Sequence, residues 1–178
     1  VAGSSGWQVA NATTAGAFTA VGYFMGHELS HALNIPIGLI EGSHGGTEIV
    51  QWTHFGGGSG VYYDERLKPL QPYAIRGATW YQGENDIRNP TGYADKLAGL
   101  VNEWRTDWGQ GDFPFQIVVL HWNGGDGWCA IRDEQLKAYL NISNTGIACA
   151  TDLPTAGHPP LKQPVGYRLS LSARAKWY

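Results

Sequence analysis

The sequence is poor in cysteine, in charge and in long apolar runs, and each shortage excludes a class of protein. Only two of the 178 residues are cysteine, so the chain is not a small domain held together by many disulfides. Charged residues make up 15% and the formal net charge is -3, which argues against a nucleic-acid partner because such proteins usually carry a basic stripe. No apolar run approaches the roughly 20 residues of a membrane span, so we expect no membrane partner.

The two cysteines leave two interpretations open. Cys129 and Cys149 could form one bridge, or both could be buried thiols.

The remaining composition is that of one globular domain. Hydrophobic residues make up 43% of the chain, and 25 glycines indicate many tight loops. The length is sufficient to bury a core. Residues 1–15 are small and polar, so we interpret them as a linker or loop, and we expect the domain to occupy residues 16–178.

The pattern of apolar residues predicts helices that alternate with strands. Helices are predicted over 16–33, 93–108, near 130–140 and over 163–178, and strands over 37–40, 75–81, 115–120 and 145–153. Such alternation is typical of βαβ units, and therefore of a parallel sheet that helices cover on both faces. The sequence predicts an α/β fold.

A polar stretch follows the predicted strand at 75–81. In open α/β sheets, groups just past the carboxyl end of a strand lie in the ligand crevice. Gly83 allows a close approach of the backbone, while the amides of Gln82 and Asn85 offer N–H donors, as an oxyanion hole requires. The alternative is a strand end followed by a polar turn.

A zinc motif has to be weighed as well. His27 and His31 match H-E-x-x-H on a predicted helix, so both imidazoles share one face and could bind zinc. Glu28 would then be the general base and Glu48 a third ligand. Against this interpretation, the longer continuation of the motif is absent, and a pattern with three fixed positions arises by chance.

His158 is a candidate general base. It lies in a loop after the fourth predicted strand, and Asp152, six residues earlier, could orient its imidazole. The alternative is an exposed loop histidine without a role.

A glycine-rich stretch over 42–47 follows the first predicted strand. Backbone N–H groups of Gly45 and Gly46 could point at an oxyanion. Ser43 is a possible nucleophile, although Glu41 stands where the nucleophile elbow G-x-S-x-G requires glycine. The stretch could also be a plain connector. We favour backbone donation over a nucleophilic Ser43.

Taken together, these stretches resemble the sialate O-acetylesterase family, a carbohydrate-esterase branch of the SGNH hydrolases. The segments that carry the resemblance occur in order along nearly the whole chain. They include Gly45-Gly46-Thr47-Glu48-Ile49, Trp80-Tyr81-Gln82-Gly83-Glu84, His158-Pro159, Lys162-Gln163 and Tyr167-Arg168-Leu169.

The resemblance implies a three-layer α/β/α, flavodoxin-like fold and the removal of acetyl esters from sugar hydroxyls, without a metal or cofactor. It implies that His158 is catalytic, that Gln82 or Asn85 serves the oxyanion hole, and that Gly45 and Gly46 donate a backbone N–H. It favours a secreted, periplasmic or lysosomal compartment. Under this resemblance the H-E-x-x-H stretch is part of the first long helix.

The sequence departs from the family pattern in three places: the nucleophile block, the position after Gly83-Glu84, where Asn85 replaces a usually small residue, and the acid before His158. The family's nucleophilic serine lies in a G-Q-S-N-M block upstream of the first helix, and residues 2–6 do not match it. We therefore expect the first strand and the serine to come from a missing N-terminal segment or a partner chain that completes the sheet. In addition, no acid lies three residues before His158, so Asp152 is the weaker assignment. A non-catalytic glycan-binding remnant is the alternative function.

Overall fold

The computed structural model describes residues 6–121, 123–154 and 158–178. Over these residues it contains four α-helices and three strands, joined by short helical turns. In chain order the regular elements are α1 (Ala20–Leu33), β1 (Ala78–Trp80), α2 (Tyr93–Trp108), β2 (Phe115–Val119), α3 (Asp126–Asn141), β3 (Thr145–Cys149) and α4 (Gln163–Trp177).

The three strands form one parallel sheet in the order β1-β2-β3. Phe115 in the central strand pairs with Ala78 on one side and with Thr145 on the other. All five residues of β2 are buried, as expected for the middle strand of a parallel sheet. Because the strands are parallel, the loops that follow them leave the sheet at the same edge.

Helices cover both faces of the sheet, which confirms the predicted three-layer α/β/α fold. Successive residues of a strand point to opposite faces. Phe115 and Ile117 accordingly pack in the larger core cluster with α2 and α3, whereas Val118 packs in the smaller cluster with α1 and α4.

The second helix shows why the apolar pattern identified the helices correctly. Its buried residues Leu97, Leu100, Val101 and Trp104 recur at helical spacing and form one face. Gly109 ends the helix in a left-handed conformation, φ 64°, and its N–H donates to the last-turn carbonyls.

The predicted strand at 37–40 is wrong. Residues 36–44 have no regular structure and belong to none of the three described strands. Leu39 instead packs against Gly26 of α1, where a Cβ on the glycine would lie 2.7 Å from a Leu39 methyl carbon. The apolar residues here serve a contact with a helix, which the sequence pattern cannot distinguish from a short strand.

Both cysteines differ from the two interpretations offered for them. Cys129 and Cys149 are unbridged and exposed. Among the described residues, no helix is both long enough and apolar enough to cross a membrane.

Candidate active site

The loops that follow the three strands bring three of the predicted site residues, Gln82, Asn85 and His158, to one edge of the sheet. Tyr81 to Asn85 follow β1, His121 follows β2, and His158 follows β3. His121 is fully buried and its ring lies against Trp128, at 5.0 Å between centroids. The rings of His121 and His158 are 6.4 Å apart, so two imidazoles meet at this edge.

The carboxylate that faces His158 is Glu84. The Nδ1 atom of His158 lies 3.5 Å from Oε1 of Glu84. The histidine side chain is 72% exposed, whereas Glu84 is 25% exposed. Sequence reasoning did not pair these residues, although Glu84 stands inside the stretch that carried the family resemblance.

Asp152 pairs with Arg168 and not with His158. Its two carboxylate oxygens accept hydrogen bonds from Arg168, both at 2.6 Å. These bonds lower the pKa of Asp152 below its ordinary value. Among the described residues, no hydrogen bond or ion pair joins Asp152 to His158, so the structure does not bring together the two residues that the sequence suggested as a pair.

Lys162 is a second basic side chain near Glu84. Its ammonium lies 5.0 Å from the centre of the Tyr81 ring. Burial lowers the pKa of Lys162, and the Glu84 carboxylate opposes that shift. Burial also raises the pKa of Tyr81 to about 12, so its hydroxyl stays protonated at neutral pH. Glu84 therefore lies in the field of two basic side chains.

The glycine turn and Asn85, both predicted to serve an oxyanion site, lie in direct contact. The Asn85 amide donates to the carbonyl of Gly46 at 2.7 Å. Gly46 adopts φ 72°, a conformation that favours glycine. An amide has two N–H donors, so the exposed Asn85 side chain can still donate one to a ligand. Gly45 precedes this point in the same turn.

Gln82 uses its side-chain amide inside the protein. It is buried, and its Nε2 donates to the Thr47 carbonyl at 2.8 Å and to Asp86 at 2.7 Å. Its Oε1 accepts from the Tyr93 hydroxyl at 2.9 Å. Both amide donors are therefore occupied, and Gln82 fixes the shape of the loop instead of offering a side-chain donor to an oxyanion.

One carboxyl group, that of Asp86, and one amide group, that of Gln135, hold the backbone around this loop. Asp86 accepts the Ile49 N–H at 3.1 Å, and burial raises its pKa although its hydrogen bonds oppose the shift. Gln135, fully buried in α3, donates to the Gln82 carbonyl at 2.9 Å and accepts the Leu120 N–H at 3.0 Å. Gln135 stands in the segment Ile131-Arg132-Asp133-Glu134-Gln135, which also matches the family pattern, but the sequence alone did not assign it a role in the site.

Ser43 is not paired with a histidine. Its hydroxyl donates to Glu41 at 2.7 Å, and the other oxygen of Glu41 accepts the Thr19 N–H at 3.0 Å. Arg66 holds the turn by donating to the Ser43 carbonyl at 3.2 Å.

The zinc alternative does not gather its three ligands. The rings of His27 and His31 are 4.5 Å apart on α1. Glu48 instead caps the short turn Ile49–Gln51, accepting the Gln51 N–H with its side chain. Within the described part of the chain, no group of three His, Cys, Asp or Glu side chains is placed to hold a metal.

Comparison with known proteins assigns the chain to a family. The family described as "Carbohydrate esterase, sialic acid-specific acetylesterase" matches residues 7–160. The sialate O-acetylesterases of Homo sapiens and Pongo abelii are each 31% identical to the chain, over 90% of its length. The Rattus norvegicus enzyme of that name is 34% identical over 66% of the chain.

Two solved structures share the fold. A carbohydrate acetylesterase from Xanthomonas citri superposes with a TM-score of 0.87 at 33% identity, covering 96% of this chain and 44% of its own. A protein from Arabidopsis thaliana superposes with a TM-score of 0.74 at 21% identity, covering 86% of this chain and 68% of its own. The chain spans 39% of the length of the human and orangutan relatives. The family match, the identities and the shared fold agree, and the chain belongs to the sialic acid-specific acetylesterase family of carbohydrate esterases.

Proposed function

We propose that this chain supplies the general base and the oxyanion donors of a carbohydrate O-acetylesterase. One observation carries the proposal. The His158–Glu84 pair and the Gly46–Asn85 hydrogen bond lie at the same carboxyl edge of one parallel sheet. The relatives support the substrate class, since they are named as acetylesterases of sialic acid or of carbohydrates.

In the proposed mechanism His158 acts in both half-reactions and Glu84 orients it. A serine hydroxyl attacks the acetyl carbonyl while Nε2 of His158 takes its proton. Glu84, facing Nδ1, orients the imidazole and stabilises the imidazolium. The protonated His158 then gives its proton to the departing sugar oxygen, and water, activated by the same histidine, hydrolyses the acetyl-enzyme and regenerates the serine.

The oxyanion of each tetrahedral intermediate would be held by a backbone N–H of Gly45 or Gly46 and by the second amide hydrogen of Asn85. Donors of this kind contribute roughly 3–4 kcal/mol each to transition-state stabilisation. Gln82 contributes by fixing the loop, because its own amide donors are occupied.

We place the nucleophilic serine outside these residues. Ser43 is the weaker candidate because its hydroxyl is engaged by Glu41 and not by His158. Among the described residues no serine makes a hydrogen bond to His158, which also favours the second candidate function, a glycan-binding remnant that no longer hydrolyses esters.

The test compares two preparations. In the full-length protein, His158→Ala is expected to lower the hydrolysis of p-nitrophenyl acetate and of an O-acetylated sugar by about 10³-fold or more. An unchanged rate would rule out the assigned base.

The chain alone is expected to remain unlabelled by a fluorophosphonate probe, whereas labelling of Ser43 would locate the nucleophile here. Binding of acetylated sugar by the full-length protein without turnover would establish the glycan-binding function instead.

A further inference from the structure

A cleft lies beside the catalytic edge and shares Glu84 with it. Its volume is about 300 Å³, and its polar lining includes Glu84, Asn85, Arg88, Asn89 and Lys96. Glu84 faces both this cleft and His158. A sugar that occupies the cleft would therefore be adjacent to the group that performs the chemistry.

The acidic residues of the cleft are engaged by the protein. Glu48 accepts the Gln51 N–H, and Asp86 accepts the Ile49 N–H and a Gln82 amide hydrogen. Glu84 faces the imidazole of His158. Each carboxylate thus has a basic or N–H partner, which reduces its repulsion of an incoming anion.

The cations of the cleft are not engaged in this way. Among the described residues, neither the Arg88 guanidinium nor the Lys96 ammonium makes a hydrogen bond or a close ion pair. Lys96 is half-buried, and its charge acts on the Asp86 carboxylate at a distance longer than an ion pair. A guanidinium binds carboxylates through two parallel N–H donors, and an ammonium adds a point charge.

We propose that Arg88 and Lys96 form an anion subsite that binds the carboxylate of an acidic sugar while its acetyl ester reaches His158. The backbone N–H of Asn89 donates to the Asp86 carbonyl, whereas its exposed side-chain amide has no hydrogen bond to the described residues and is available for a sugar hydroxyl. This proposal rests on the proposed function and deepens it, because it assigns the recognition of acidic over neutral sugars to two named cations.

The test is calorimetric binding of a sialic acid methyl glycoside and of its uncharged methyl ester to the full chain. We expect the free carboxylate to bind more tightly, by roughly two- to fivefold for each cation. Arg88→Gln and Lys96→Gln should each remove part of that preference and their combination all of it. Because both cations are close to solvent, raising the salt concentration should weaken the preference as well.

Arg174→Gln is the matched control, since Arg174 is an exposed cation in the last turn of α4 and does not line the cleft. It should leave the preference unchanged. Three results would each overturn the subsite. They are equal affinities for the acid and the ester, a preference that survives the double substitution, and the absence of binding to either ligand. Loss of the subsite with intact, His158-dependent ester hydrolysis would leave the proposed function standing. A carboxylate preference without esterase activity in the full-length protein would overturn the proposed function alone.

Discussion

Glu84 is the single residue on which most of the proposed chemistry depends. It faces His158 at 3.5 Å, opposes the burial effect on Lys162 and lines the adjacent cleft. A glutamine at this position keeps the shape but loses the charge that stabilises the imidazolium. The Glu84→Gln substitution therefore distinguishes a role in positioning His158 from a purely structural role.

We predict that Glu84→Gln in the full-length protein lowers kcat for acetyl ester hydrolysis by roughly 10²-fold, less than for a buried triad aspartate because His158 is exposed. Glu84→Asp should recover part of the loss. Asp152→Asn is the control and should change kcat by less than about twofold, since its partner is Arg168. A large loss with Asp152→Asn and none with Glu84→Gln would restore Asp152 as the orienting acid.

Gly83 fixes the path of the backbone through the site. Its φ is 140°, and an added Cβ would lie 3.0 Å from the Gln135 amide and 3.1 Å from Leu120. We predict that Gly83→Ala lowers the free energy of unfolding by about 1–3 kcal/mol, from backbone strain and crowding together. Urea unfolding would measure it. Gly16→Ala meets nothing within 4 Å and has an ordinary φ, so it is the control; equal effects of the two would contradict this account.

Among the elements, those with a clear apolar period were predictable and those that depend on distant partners were not. Helix α2 and strand β2 follow directly from their own residues. The segment at 37–40 carries the same local signal as a strand but packs on α1. The pairing of Glu84 with His158 and of Gln135 with Gln82 joins residues more than fifty positions apart, and nothing local encodes such contacts.

His54 connects the irregular segment before β1 to α2. Its Nδ1 lies 2.7 Å from Glu103, its backbone N–H donates to the same carboxylate at 2.9 Å, and its Nε2 lies 3.2 Å from Asp64. The hydrogen bond to Glu103 raises the pKa of His54, although burial opposes the shift. Burial would raise the pKa of Glu103, but hydrogen bonds from Thr53 and His54 lower it.

The sign of the pH dependence follows from these directions. The contribution of His54 to the free energy of unfolding is complete below its unfolded pKa of about 6.5. It is lost as pH rises through the higher pKa of the folded state. The contribution of Glu103 is present above its unfolded pKa, about 4.3, and is lost as pH falls through its lower folded value. The pair therefore stabilises the fold most between about pH 4.5 and 6.5.

We predict that the urea midpoint of the wild type exceeds that of His54→Gln most at about pH 5.5, and that the difference shrinks at alkaline pH. His54 is half exposed, so the effect is modest. A difference that grows with rising pH would contradict the assignment. His27→Gln, at an exposed histidine of α1, serves as the control for simple loss of an imidazole.

For the molecule as a whole, an aromatic cluster joins the irregular segment, α2 and the sheet. Trp104 packs against Trp80 and Phe115, with ring centroids 5.8 Å apart in both cases, and its indole N–H donates to the Trp52 carbonyl at 3.0 Å. We predict that Trp104→Ala lowers the free energy of unfolding by about 3–5 kcal/mol. Trp7→Ala, at a side chain that is 62% exposed, should cost less than about 1 kcal/mol in the same urea titration. Comparable losses would contradict the central place of this cluster.

The segment over 43–49 and the loop over 82–86 are joined by three hydrogen bonds: Gln82 to the Thr47 carbonyl, Asn85 to the Gly46 carbonyl, and the Ile49 N–H to Asp86. One loop therefore cannot loosen while the other keeps its shape. On warming, the donors of the oxyanion site and the carboxylate that faces His158 should be lost in one event. A partly heated sample would then contain fewer competent molecules, each with its original affinity for substrate, so that the maximal rate falls while KM stays constant.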